Sequence, residues 1–252
     1  MTETLPTTNS VEPAALSQWQ RVAYIFTAPS KTFAEIADGR RSWWLPLVIV
    51  VLCSYLFFGV VTTHVGWNQV AENTLRMNAK SEEKLAQAPP EQREKIVQMT
   101  QYSIEGSFAA APVLVLLITA ISSVVLWGTI NFAFGGKATF GGIFSMSIFA
   151  SLPGTIKFLL GSLVTFFAAP DNFNLSNYAP TSIGAFLSPT ETNAALYKLA
   201  TALDLTTLWS LALTGIGLAV VARTKRSAGY AVIFGWWGLL TLAGVVWTAV
   251  FG

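Results

Sequence analysis

The side chains best equipped for chemistry are few and scattered in this sequence. It holds one histidine, His64, and one cysteine, Cys53. A hydrolytic zinc site needs clustered ligands, such as His-Glu-x-x-His on one helix face, and none occurs. No Gly-x-Ser-x-Gly elbow is present to expose a nucleophilic serine, and so isolated a histidine leaves no Ser/His/Asp set to assemble. Gly135-Gly136-Lys137 lacks the leading glycine spacing of a phosphate-binding loop. No pair of carboxylates falls inside an apolar run. The sequence therefore predicts no catalytic residue, no cofactor, no metal ligand and no enzyme activity. His64 reads as an interfacial residue. Asn174-Leu175-Ser176 matches the glycosylation acceptor pattern, but a pattern so short recurs by chance.

One residue demands a physical account. Lys157 lies near the middle of an apolar run, and a charge at the centre of a bilayer costs about 3 kcal/mol on insertion scales. It must snorkel outward along its long stem, deprotonate, or find a partner. Asp204, at the start of a later apolar run, is the best candidate partner. Pro153-Gly154 interrupts the same run one turn earlier and frees a backbone carbonyl. Ser145, Ser147 and Ser151 lie just upstream. Lys157, Asp204, Pro153 and Ser151 thus form a candidate polar intramembrane site. Its functional reading is a place for an ion, a lipid headgroup or a proton. Its structural reading is an outward-reaching lysine beside an ordinary kink satisfied by nearby serines.

The elements that would position these residues are membrane helices. Of 252 residues, 53% are hydrophobic and 11% charged, against roughly 25% charged in soluble domains. Too few polar residues remain to cover a soluble surface of this size. The mean hydropathy is +0.54. Nine tryptophans suit the membrane interface. The net charge of +2 and the absence of a dense basic stripe exclude a nucleic-acid binder.

The sequence predicts an all-α polytopic fold with five spans, at about 43–65, 108–134, 143–168, 203–221 and 230–251. Residues 1–14 read as a disordered tail. Residues 15–42 read as cytoplasmic amphipathic helices, with Leu16, Trp19, Val22, Ala23 and Phe26 on one face. Pro29 ends the first of these, and a second begins near Thr32 with Glu35 placed for a capping box and stops at Gly39. These two helices either lie on the membrane surface or pack against the protein's own helix ends. Residues 67–106 read as an outer helical hairpin broken at Pro89-Pro90, and 169–201 as a long loop. Gly215 and Ala219 form a small-xxx-small pair suited to close helix contact. Nothing ahead of the first span has the basic n-region and apolar core of a secretory signal.

Basic residues close to spans favour the cytoplasm. Arg40 and Arg41, Lys137, and Arg223, Lys225 and Arg226 share one side in a five-span chain. That predicts a cytoplasmic N-terminus and an outside C-terminus.

Phe134-Gly135-Gly136-Lys137-Ala138-Thr139-Phe140, followed by Ala150-Ser151-Leu152-Pro153, resembles the Yip family, named for binding Ypt/Rab small GTPases. Pro29-Ser30-Lys31-Thr32-Phe33 with Ile36, then Trp43-Trp44-Leu45-Pro46, resembles the opening of its bacterial branch. Gly135, Gly136, Lys137, Phe140 and Pro153 carry the distinctive pattern. The resemblance implies five spans in a bacterial inner membrane, with membrane lipids, a membrane protein or a second copy of the chain as partners. The Asp-Leu-x-Gly-Pro motif of the branch acting between endoplasmic reticulum and Golgi is absent from this sequence. The expected function is to organise membrane proteins or lipids. The alternative is a carrier or channel for a small ion, lipid or solute that works through Lys157.

Overall fold

The computed structural model describes residues 15–251; the tail at 1–14 lies outside them. Twelve α-helices form there: α1 (Gln18–Thr27), α2 (Pro29–Ala37), α3 (Trp44–His64), α4 (Trp67–Arg76), α5 (Ala79–Gln87), α6 (Pro90–Ala109), α7 (Ala111–Phe134), α8 (Phe140–Ala150), α9 (Pro153–Phe167), α10 (Ala194–Ala202), α11 (Leu205–Ala222) and α12 (Arg226–Phe251). Five segments are long and apolar enough to cross a membrane: α3, α7, α8 with α9, α11 and α12. The chain is an all-α polytopic membrane protein. Its outward-facing leucines, valines and phenylalanines, such as Leu117, Ile121, Phe132 and Leu240, are exposed, because lipid rather than water surrounds them.

Local chemistry sets the helix ends. Ser17 and Gln20 form the capping box that starts α1. α2 begins at Pro29 rather than near Thr32, since proline is favoured in the first helical turn where its missing N–H is no loss. Thr32 caps nothing; its hydroxyl donates to the Arg21 carbonyl at 2.8 Å, and Glu35 pairs with Arg40. The third span begins at Phe140, earlier than about 143, because Thr139 caps α8 by accepting from the Gly142 N–H. The last span starts at Arg226 rather than near 230, directly after the turn that closes α11. The 67–106 hairpin holds three helices, because Asn78 caps a separate α5. The 169–201 stretch contains 3-10 turns and, from Asn193, the capped start of α10.

α11 is the hub. It packs against α2, α8, α9 and α12. The Gly215–Ala219 pair receives α12: a Cβ on Gly229 would lie 2.1 Å from the Gly215 carbonyl oxygen, so glycine alone permits the approach. α11 and α12 thus form a hairpin, and α11 in turn packs on both halves of the third span. The N-terminal helices pack against the protein's own helices. Phe33 and Ile36 are fully buried in the main core. Arg21 reaches across to donate to the Arg40 and Ser42 carbonyls, with its guanidinium 4.7 Å from the Phe149 ring centre. Trp19 on the opposite face of α1 stays exposed.

Candidate functional site

Lys157 sits one turn into α9, and its Nζ lies 3.0 Å from Asp204 Oδ2. The lysine retains 18% side-chain exposure and the aspartate 2%. Asp204 is also the N-cap of α11, accepting from the Thr207 N–H at 2.9 Å. The Thr181 and Thr206 hydroxyls donate to its two oxygens. Burial works against its charge. The hydrogen bonds from Thr181, Thr206, the Thr207 N–H and Lys157 outweigh burial and hold the carboxyl well below the usual carboxylate range. Backbone bonds from Leu205 N–H to the Thr181 carbonyl and from Ile183 N–H to the Leu203 carbonyl lock the loop beside it.

An aromatic cluster seals the other side. Tyr178 lies 5.2 Å below the Lys157 ammonium, stacks on Phe158 and meets Phe57 with ring centres 4.4 Å apart. Gly161 admits it, since a Cβ there would lie 2.4 Å from the Tyr178 ring. Phe58, Trp67, Phe108 and Phe173 extend the cluster to the outer helices. Asn73 on α4 then donates to the Pro170 and Phe173 carbonyls.

Ser151 and Pro153 do not join this pair. The Ser151 hydroxyl donates to the Ile148 carbonyl, and the Leu152 carbonyl accepts from both the N–H and the hydroxyl of Thr155. The Phe149 carbonyl, which Pro153 cannot serve for want of an N–H, accepts from the Leu152 N–H at 3.2 Å, so the break is satisfied within its own turn. Ser145 and Ser147 have buried hydroxyls without a protein partner. His64 stacks on Phe166, 4.3 Å between ring centres. Among the described residues no three of His, Cys, Asp and Glu gather as a metal set.

The Gly-Gly-Lys turn lies at the opposite end of the bundle. Gly135 takes a left-handed conformation to end α7. Gly136 presses against the Ile130 carbonyl and Ala222, where a Cβ would lie 3.0 to 3.1 Å away. Asn131 clamps the turn by two hydrogen bonds to Ala138, accepting from its N–H at 3.0 Å and donating to its carbonyl at 2.9 Å. Trp127 donates to the same carbonyl. Lys137 N–H donates to the Ala222 carbonyl at 3.0 Å, which ties the turn to the end of α11. Phe140 is exposed and edges toward Phe144.

This build leaves a small recess of about 110 Å³. Arg41, Lys137 and Arg223 line it, with Ile36, Thr139 and Gly142. A larger cavity of about 640 Å³ lies at the far end, lined by Arg76, Asn174, Tyr197 and Lys198 among others. There the polar groups bond to one another: Asn174 to the Tyr197 hydroxyl, and Arg76 to the Asp171 carbonyl.

Residues 23–248, nearly the whole described chain, match the family model of the Yip1 domain. The chain belongs to the Yip1 domain family. The membrane protein YknW of Bacillus subtilis (strain 168) is similar at 23% identity over 218 residues, covering 84% of each chain. No solved structure matches the chain. In this Yip1-domain protein the Gly-Gly-Lys motif is thus a structural staple between the second span, the third span and α11. Sequence reasoning paired Lys157 with Asp204 but missed Thr181 and Tyr178. Thr181 lies 23 residues before Asp204, so no local sequence signal joined them.

Proposed function

We propose that this Yip1-domain chain is a non-enzymatic inner-membrane protein that organises the lipids and membrane proteins around it. The observation that carries the reading is the Lys157–Asp204 pair. The one cation deep in the spans already has its anion, three further donors to that anion and an aromatic seal. A carrier needs a charge that exchanges partners, and a pair held in this way favours a structural role instead.

Charge distribution supports an N-in orientation. The end that carries α1, α2 and the two short turns has eight basic and two acidic residues over 15–43, 135–139 and 223–226. Over 65–110 and 168–204 the opposite end has six basic and nine acidic residues. Basic flanks favour the cytoplasm. Cysteines placed at Asp38 and at Ser188 test the orientation with a membrane-impermeant maleimide. Labelling of Ser188→Cys alone in intact cells is expected; labelling of Asp38→Cys would invert the topology.

The carrier reading draws on the unpartnered hydroxyls of Ser145 and Ser147 beside the broken third span. The decisive experiment extracts the protein in native-lipid nanodiscs and identifies everything retained by mass spectrometry. The double variant Lys157→Met with Asp204→Asn is run beside it. An organiser keeps its lipids or partner proteins in that variant. A selectively retained small solute that disappears in it would establish the carrier.

A further inference from the structure

The recess at the Gly-Gly-Lys turn gathers three cations from three separate segments. Arg41 comes from the link into α3, Lys137 from the turn between α7 and α8, and Arg223 from the end of α11. No carboxylate lines the recess, and among the described residues none lies within ion-pair distance of any of the three. Like charges gathered this closely repel one another, so the arrangement favours an anion between them. The first turn of α8 opens on the same space. Thr139 caps it through Gly142, while the Phe140 and Gly141 N–H groups lie ahead of the first intrahelical bond, from Ile143 to Thr139.

Arg223 adds an independent observation. It ends α11 in the left-handed region, φ 54° and ψ 43°, the only non-glycine residue with positive φ among those described. Glycine is the ordinary residue there. A side chain kept at such a position despite the strain points to a use for that side chain.

We infer that this recess binds the phosphate of an anionic lipid headgroup. The inference rests on the reading of the chain as an organiser of its membrane surroundings. The volume, about 110 Å³, is several waters' worth and suits one tetrahedral oxyanion. Arginine supplies forked donors and lysine a point charge, the usual pair for phosphate. The neighbourhood selects a lipid over a soluble phosphate, since Trp44, Phe134 and Phe140, each within three residues of a lining residue in the chain, are exposed. Such residues hold this depth at the level of headgroups.

The full chain is reconstituted in nanodiscs of a zwitterionic phosphocholine lipid doped with phosphatidylglycerol, and native mass spectrometry counts the lipids it retains. Retention of phosphatidylglycerol above its bulk share is expected. Lys137→Met, Arg41→Gln and Arg223→Gly should each weaken that retention roughly tenfold. Lys84→Met, at the opposite end, should leave it intact. Arg223→Gly relieves backbone strain, so its loss of lipid cannot be ascribed to misfolding. Enrichment that survives all three variants overturns the site. Inorganic phosphate that displaces the lipid completely at low concentration overturns the lipid assignment in favour of a soluble phosphate. If instead no lipid or protein is retained even from native membranes, the organiser reading itself fails.

Discussion

The two ends of the bundle spend their charges in opposite ways. At the end that carries α4 to α6, Asp204 holds Lys157, two threonine hydroxyls and a backbone N–H, and an aromatic cluster closes over the pair. At the other end Arg41, Lys137 and Arg223 face a common recess with no anion among them. Both ends are built to similar tolerances: Gly161 admits Tyr178 at one, and Gly136 admits Ala222 at the other. What differs is satisfaction. A charge whose partners are all internal holds the fold together, whereas charges left facing each other wait for something from outside. On the proposed reading the conspicuous intramembrane lysine serves the fold, and the unremarkable flanking cations form the site open to a ligand.

The sharpest way to break this comparison is to unpair Lys157 and Asp204. Lys157→Met leaves the buried Asp204 carboxylate without its counter-ion and should destabilise the fold by about 3 kcal/mol. Asp204→Asn should cost a similar amount, because it keeps an N-cap acceptor for α11 but leaves the Lys157 ammonium without its counter-ion. The double variant should recover part of the loss. Thermal unfolding in nanodiscs measures all three. The depressed Asp204 pKa fixes the sign of the pH dependence. Its folded value lies below the unfolded one, so its stabilisation is complete above about pH 4 and fades only as pH falls toward the folded value. Wild type should keep its melting temperature through mild acid, and the Asp204→Asn variant should show a flatter profile below that. A single-variant melting temperature equal to wild type would show that the pair contributes nothing.

The legibility of the two ends followed from how far apart their parts lie in sequence. Spans such as Trp44–His64 and Ala111–Phe134 read directly, since a charge-free apolar run of that length has few other fates. The pairing of Lys157 with Asp204 was legible because a mid-span cation needs an anion and the neighbouring spans offer few. The helix starts at Pro29 and Phe140 were displaced by three residues, since local capping by Pro29 and Thr139 overrode the apolar periodicity. Tyr178, Thr181 and Asn73 could not be read, because their roles depend on loop closure. The recess was hidden for the same reason. In the sequence Arg41 and Arg223 read only as topology signals, and Lys137 as a topology signal and part of the Gly-Gly-Lys motif.

An intermediate effect is expected where the basic end is stapled. Asn131→Ala removes both bonds that hold Ala138, whose backbone is buried. Leaving those groups partly unsatisfied should cost about 2 kcal/mol. Trp127 still donates to the Ala138 carbonyl, so the N–H suffers most. Because the turn carries Lys137, lipid retention should fall together with the melting temperature. Unchanged retention in a destabilised Asn131→Ala protein would detach the recess from the turn.

Arg223→Gly separates the two kinds of charge most cleanly, though its effect on stability is the smallest. Glycine takes the left-handed region without steric penalty, so the substitution should raise stability by up to about 1 kcal/mol. The turn keeps its backbone bonds, from Arg223 N–H to the Val220 carbonyl and from Thr224 N–H to the Ala219 carbonyl. Among the described residues no carboxylate lies within ion-pair distance of the guanidinium. The Lys157–Asp204 pair behaves in the opposite manner, since there either charge removed alone should lower the melting point. A variant that melts higher while it retains less phosphatidylglycerol would show that Arg223 is kept at the expense of the fold. If Arg223→Gly melts lower, the side chain must make a stabilising contact inside the bundle, and the contrast between a satisfied end and an unsatisfied one would no longer hold.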